Sequence, residues 1–259
     1  MELGLNNKIA LVSGAGQGVG FGIAGSLLGE GAQVAIVEQD EERLEQAANK
    51  LSMKFEGSNI MPIHADFTDE FKIKESIKKI IVQWGHLDIV AANIGTGRSQ
   101  IGWDVDDDEW KRMFELNLFA SIKLSRAVIP QMVKQKKGVI NFTASIAGLE
   151  AIPAPICYSA AKAALITTSK NLARELAPYG IRVNTVAPGN VYFEQGTWDI
   201  KMKKDREAIE SYIRENVPMN RFASPQEIGD LVAFLASDRA SFITGACLMI
   251  DGGQTHVFH

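Results

Sequence analysis

Two cysteines, Cys157 and Cys247, are too few for a disulfide framework, and neither stands at a metal-ligand spacing from another candidate ligand. The four histidines, His64, His86, His256 and His259, are scattered and offer no metal-binding pattern, so no metal site is expected. No apolar run is long enough to cross a bilayer, and the opening Met-Glu-Leu-Gly-Leu-Asn-Asn-Lys does not read as a signal peptide. The expected compartment is therefore cytoplasmic, with both thiols reduced and packed among apolar neighbours. A formal net charge of −4 gives no basic footprint for nucleic acid. Linkers and low-complexity stretches are missing too, so the 259 residues suit a single α/β domain spanning 1–259.

What the chain does have is an alternation of short branched apolar runs with amphipathic stretches. Strands are predicted at 8–12, 33–37, 60–64, 87–91, 139–142, 181–187 and 248–250. Between them, helical spacing is read after the first strand (Ile23, Ala24, Leu27, Leu28) and at 41–51, 71–84, 107–134 and 158–176. Strand–helix alternation with short connections argues a doubly wound, mostly parallel seven-stranded sheet with helices on both faces. The expected ligand crevice is then at the carboxyl ends of the strands.

The first strand runs into Ser13-Gly14-Ala15-Gly16-Gln17-Gly18-Val19-Gly20. Glycines at a strand-to-helix turn let the backbone approach a pyrophosphate, and the helix N-terminus presents free N–H groups and a favourable dipole. The second strand ends in Glu38, about twenty residues beyond the loop, where a carboxylate can accept hydrogen bonds from an adenosine ribose and repel a 2′-phosphate. Gln17 and the residues after Glu38 supply no evident arginine or lysine for such a phosphate, so NAD is expected over NADP.

Tyr158 and Lys162 stand four positions apart in Tyr-Ser-Ala-Ala-Lys, on one face of a predicted helix. A phenol titrates near about 10 and is a poor acid or base at neutral pH. An adjacent ammonium favours the phenolate and would bring the tyrosine toward the range where a general acid–base works.

Taken together these residues resemble the short-chain dehydrogenase/reductase family over essentially the whole chain. The family's glycine loop is matched by 13–20, with serine in place of its leading threonine, and its Asn-Asn-Ala-Gly segment by Ala92-Asn93-Ile94-Gly95. Asn117 in Glu-Leu-Asn-Leu, Ser145 in Thr-Ala-Ser-Ile-Ala-Gly, and Tyr158 with Lys162 fit the family's catalytic positions. Pro188-Gly189 and the ending Asp251-Gly252-Gly253 are also similar. The resemblance implies a Rossmann fold and a catalytic set of Asn117, Ser145, Tyr158 and Lys162. It implies cofactor contacts from Gly14, Gln17, Gly18, Val19, Gly20, Glu38, Asp66, Phe67, Asn93, Tyr158, Lys162, Pro188, Gly189 and Val191. It also implies hydride transfer between nicotinamide and a secondary alcohol or ketone, and a homotetramer built on the helices at 107–134 and 158–176. Reduction of a 3-oxoacyl thioester on acyl-carrier protein is an alternative within the family, and dinucleotide sensing without turnover an alternative outside catalysis. The presence of both Tyr158 and Lys162 favours catalysis.

One departure stands out. Where the family often has a threonine after its Pro-Gly, this chain has Phe193, which cannot donate a side-chain hydrogen bond. The segment 190–217 follows, with Tyr192, Phe193 and Trp198 and then a charged helical run at 201–216. It is expected to act as a substrate loop or lid over the site.

Overall fold

In a computed structural model of the chain, which describes residues 2–257, strand β1 (Ile9–Ser13) is buried along its whole length because helices cover both of its faces. Ile9 and Leu11 belong to one apolar layer, Ala10 and Val12 to the other, the two-residue period of a strand between two cores. Around it lie β2 (Gln33–Glu38), β3 (Ile60–His64), β4 (Ile89–Ala92), β5 (Gly138–Thr143), β6 (Ile181–Pro188) and β7 (Cys247–Ile250). They form a seven-stranded sheet in the order β3-β2-β1-β4-β5-β6-β7, and every pairing is parallel. The order reverses between β1 and β4, which opens a crevice at their carboxyl ends.

The first layer of helices is α1 (Gly18–Gly29), α2 (Glu41–Lys54) and α9 (Pro225–Ala236), packing Ile23, Leu27, Leu44, Leu51, Ile228 and Val232 on the sheet. The second is α3 (Glu70–Trp84), α5 (Ala120–Gln135) and α6 (Ile156–Leu176), packing Ile73, Ile80, Leu124, Val128 and Leu165 on the other face. The proline of β3 is tolerated because that strand is an edge. Its ladder to β2 uses odd-numbered residues, as in the bonds from Val34 N to Asn59 O and from Ala65 N to Glu38 O, so the nitrogen of Pro62 points away from the sheet.

Two predicted helices are broken. The run at 107–134 is α4 (Asp107–Phe114), a π turn at Glu115–Phe119, and then α5. The cause is Asn117, whose Nδ2 donates to Met113 O at 3.0 Å and to Thr96 O at 3.1 Å, putting a side chain into the helix's own hydrogen-bond ladder. The run at 201–216 is α7 (Thr197–Lys204) and α8 (Arg206–Asn216), separated by Asp205, which caps α8 by accepting from Ala208 N at 3.0 Å. Of the cysteines, Cys157 is buried, whereas Cys247 in β7 is half-buried and burial pushes its thiol up to about 11. His259 lies outside the described residues. No helix among the described residues is long and apolar enough to cross a membrane.

α1 and α9 meet backbone to backbone. A β-carbon on Gly229 would stand 2.4 Å from Gly22 O and 2.4 Å from Ser26 Oγ. Gly229→Ala is therefore expected to force the two helices apart and to lower unfolding free energy by about 1–3 kcal/mol, read by urea denaturation.

Candidate active site

The carboxyl ends of β1, β2, β4, β5 and β6 open into one cleft of about 910 Å³. At its floor the glycine loop turns from β1 into α1. A β-carbon on Gly20 would stand 2.1 Å from Gly14 O, so only glycine lets the loop close this tightly. Asn93, just past β4, supports the loop: its N–H donates to Ser13 Oγ at 3.1 Å and its Nδ2 to Gly14 O at 3.3 Å. α2, α3, α4, α8 and α9 begin with an aspartate or serine side chain accepting from a backbone N–H. α1 has no capping side chain and no acidic residue in its first turn. Its open N–H groups and positive dipole end suit an anionic diphosphate.

Gly14, Gln17 and Val19 line the cleft at this loop; Gly18 and Gly20 are buried. The ring of Phe193 rests on Gly18, where a β-carbon would come within 2.7 Å of its Cζ. Glu38 lines the cleft beside Asp66 and Phe67. Its carboxylate is fixed by three backbone donors, Gly16 N at 3.3 Å, Gln39 N at 2.9 Å and Asp40 N at 3.2 Å. Sequence reasoning found no cation here, yet Arg43 from α2 lines the same end of the cleft. Its Nε is ion-paired with Asp40 at 3.3 Å. Pro188, Gly189 and Val191 line the cleft beyond β6.

Ser145, Tyr158 and Lys162 converge where β5 meets α6. Ser145 precedes a single 3₁₀ turn and its Oγ accepts from Ala147 N at 3.1 Å, which fixes the hydroxyl. Lys162 is buried, donates to Thr143 O at 2.8 Å, and has its Nζ 5.8 Å from the centre of the Tyr158 ring. Asn117 is wholly buried. Its Oδ1 accepts from Thr96 N at 3.0 Å while its Nδ2 donates to Thr96 O, so the amide clamps the loop after β4. A β-carbon on Gly95 would stand 2.5 Å from Asn117 Oδ1 and 3.0 Å from Lys162 Nζ, which makes the two side chains neighbours.

The expected lowering of the phenol is not what the geometry gives. Burial raises the pKa of Tyr158, with only the Ser145 hydroxyl acting against it. Burial also brings the Lys162 ammonium down to about 8. Both shifts share one cause: in each, desolvation disfavours the charged form.

The comparisons with known proteins agree with this architecture. A family model described as Enoyl-(Acyl carrier protein) reductase matches residues 14–255. The chain is 37% identical to the 3-oxoacyl-[acyl-carrier-protein] reductase FabG of Escherichia coli over 252 residues, 97% of this chain and 99% of that one. It is 30% identical to L-sorbose reductase from Gluconobacter frateurii, solved with NADPH and L-sorbose, with a TM-score of 0.93 and full coverage of both chains. A short-chain type dehydrogenase/reductase from Mycobacterium marinum is 29% identical, with a TM-score of 0.89, over 99% of this chain and 98% of that one. This chain belongs to the short-chain dehydrogenase/reductase family. It is an oxidoreductase of a nicotinamide-dinucleotide-binding family.

Two cleft residues carry no family motif and were missed, Arg43 and Arg98 on the loop after β4, and the part played by the Thr143 carbonyl was not foreseen although Thr143 stands in the Ser145 motif. Only the fold brings them to the site. The charge on Lys162 is expected to be present below about pH 8 and lost above it. Carbon-13 shifts of labelled lysine side chains should show one ammonium titrating near 8, well below the others, and Lys162→Met should remove that transition.

Proposed function

We propose that this chain interconverts a secondary alcohol and a ketone with NAD(H), using Tyr158 as the proton donor and acceptor. The observation that carries this reading is the convergence of Ser145, Tyr158 and buried Lys162 in the cleft that also holds the uncapped start of α1. The residues fit a dinucleotide: α1 offers free N–H groups to the diphosphate, and Glu38 stands at the strand end suited to a ribose. When bound, the nicotinamide supplies the hydride acceptor or donor.

The chain's own residues manage the proton and the orientation. In the oxidising direction the Tyr158 phenolate accepts the hydroxyl proton of the substrate as the carbinol carbon loses its hydride, leaving a ketone. In the reducing direction the phenol returns that proton to the carbonyl oxygen. Ser145 holds the substrate oxygen by a hydrogen bond. Burial alone raises the phenol's pKa, so in this reading the Lys162 ammonium, together with the positive charge of an oxidised nicotinamide, would favour the phenolate, and the ammonium would hold the nicotinamide ribose. Asn117 fixes the loop that lines the cleft beside Lys162 and, in this reading, holds a water linking the lysine to solvent. Gly14, Gln17, Gly18, Val19, Gly20, Asp66, Phe67, Asn93, Pro188, Gly189 and Val191 form the cofactor's bed.

The preference for NAD rests on Glu38. Its carboxylate is anchored on the glycine loop, and Arg43, which lines the same end of the cleft, is engaged by Asp40. A 2′-phosphate would meet a negative charge before it met a free positive one. Like charges at about 4 Å and an effective dielectric near 20 repel by about 4 kcal/mol, and a third of that is about tenfold in affinity.

A second reading, reduction of 3-oxoacyl thioesters on acyl-carrier protein, is favoured by the relatives that carry that name. We further propose 190–217 as a lid, held by Asp199, whose carboxylate accepts from Tyr192 Oη at 2.9 Å, Gln195 N at 2.8 Å and Lys203 Nζ at 2.7 Å. A homotetramer is supported by Phe119 and Ile156, exposed on the two helical segments that would pack on their copies. On α6, Ala161 and Leu165 face the chain's own core, while Ala160 and Ala163 are only half-buried and left for such a contact.

Tyr158→Phe should keep cofactor affinity and lower turnover by about 10² to 10⁴, read as absorbance of reduced cofactor against a panel of secondary alcohols and 3-oxoacyl thioesters. Wild-type turnover in that variant rejects the mechanism; activity confined to the thioesters selects the second reading. The ratio of kcat/KM for NAD over NADP should be at least about tenfold and should fall or invert in Glu38→Arg. Light scattering at micromolar concentration should give four times the chain mass, and a monomer would reject the assembly.

A further inference from the structure

Two cations that line the cleft have no carboxylate partner among the described residues. Arg98 follows Gly97, at which a β-carbon would stand 4.0 Å from Tyr158 Cζ, so its chain position is one residue from the reacting group. It lines the cleft, donates from Nη2 to Gln195 O at 3.1 Å, and forms no ion pair among the described residues. Lys201 lines the same cleft from α7, its Nζ 4.4 Å from the centre of the Trp198 ring, and it too has no carboxylate partner among the described residues. Trp198 is itself stacked on Tyr212, ring centres 5.0 Å apart, and Tyr212 Oη accepts from Asn190 Nδ2 at 3.0 Å, directly after Gly189. The lysine thus lies over an aromatic cluster that is tied to the segment after Gly189.

Neighbouring cations behave differently. Lys203 is paired with Asp199 at 2.7 Å, Arg206 with Glu210 at 2.7 Å, and Arg112 with Glu109 at 2.6 Å. Arg98 and Lys201 are left without an anion where the cleft lies open. The carboxylates that line the cleft, Glu38 and Asp66, belong to its adenosine end. A partly enclosed cleft strengthens the attraction of such unpaired charges for a ligand anion and uses them to select it.

We propose that the substrate of this enzyme carries an anionic group, a carboxylate or a phosphate, near its reacting carbonyl, and that Arg98 and Lys201 receive it. The proposal names the substrate class of the site described above and rests on the reading of Tyr158 chemistry there. Ile152, Pro153 and Trp198 line the same cleft and suit a short carbon skeleton between the two polar ends.

The test uses matched pairs with NADH: pyruvate against methyl pyruvate, acetoacetate against methyl acetoacetate, and dihydroxyacetone phosphate against dihydroxyacetone. In at least one pair the charged member is expected to have a kcat/KM at least about tenfold higher, carried mainly by KM, and the pair that responds separates carboxylate from phosphate. Lys201→Gln and Arg98→Gln should each reduce that ratio about tenfold, with Lys201→Arg retaining it. Binding is read separately, with or without turnover, from Trp198 fluorescence, its signal assigned by loss in Trp198→Phe. Tyr158-dependent turnover of neutral members with no preference for charged ones overturns the anion site and leaves the chemistry standing. A ratio unmoved by both glutamine substitutions also overturns it. Anion-dependent quenching that Lys201→Gln abolishes, without turnover of any pair, supports the anion site and rejects the redox reading. Neither quenching nor turnover overturns both.

Discussion

A buried ammonium governs the middle of this molecule. Lys162 is taken from water at the point where β5 ends, and it donates there to the carbonyl of Thr143. An isolated charge in such a place costs several kcal/mol, and the chain meets that cost partly by letting the amine titrate near about 8. The surroundings are arranged to keep it there. Asn117, in the π turn, crowds it across Gly95, and the amide in turn holds the loop that follows β4. The lysine and the loop after β4 are thus tied to one another through Asn117.

The strands were legible because a sheet covered on both faces needs continuous apolar runs, and Ile60–His64 is found where its branched residues placed it. Most boundaries at the sheet moved by a residue or two, within the ordinary fraying of element ends. The interruptions were not legible. Nothing in the periodicity of 107–134 shows that Asn117 will bond to Met113 O and Thr96 O, because one of those partners lies in a loop far earlier in the chain. Asp205 could have been read as a helix cap, and the charged run around it hid that signal.

For the site, the motif residues were legible and the electrostatics were not. Spacing placed Tyr158 and Lys162 together correctly, but the sign of the tyrosine's shift depends on how deeply the pair is buried. Burial is a property of the packed fold. Arg43 and Arg98 likewise carry no motif; each reaches the cleft because of the strand order, which no local window contains. Phe193 was recognised as a departure, and the fold adds where it goes: onto Gly18, against the start of α1.

The proline in β3 bears on how copies of this chain can meet. An open edge of a sheet offers a row of N–H donors to any passing strand, and here the middle donor of that row is missing because the nitrogen of Pro62 faces outward. A strand from another chain could not complete a ladder along β3. The sheet is finite on that side by its covalent structure, and protection from edge-to-edge aggregation there needs neither a covering helix nor a charge. Any meeting of copies is left to the helix faces and the β7 edge.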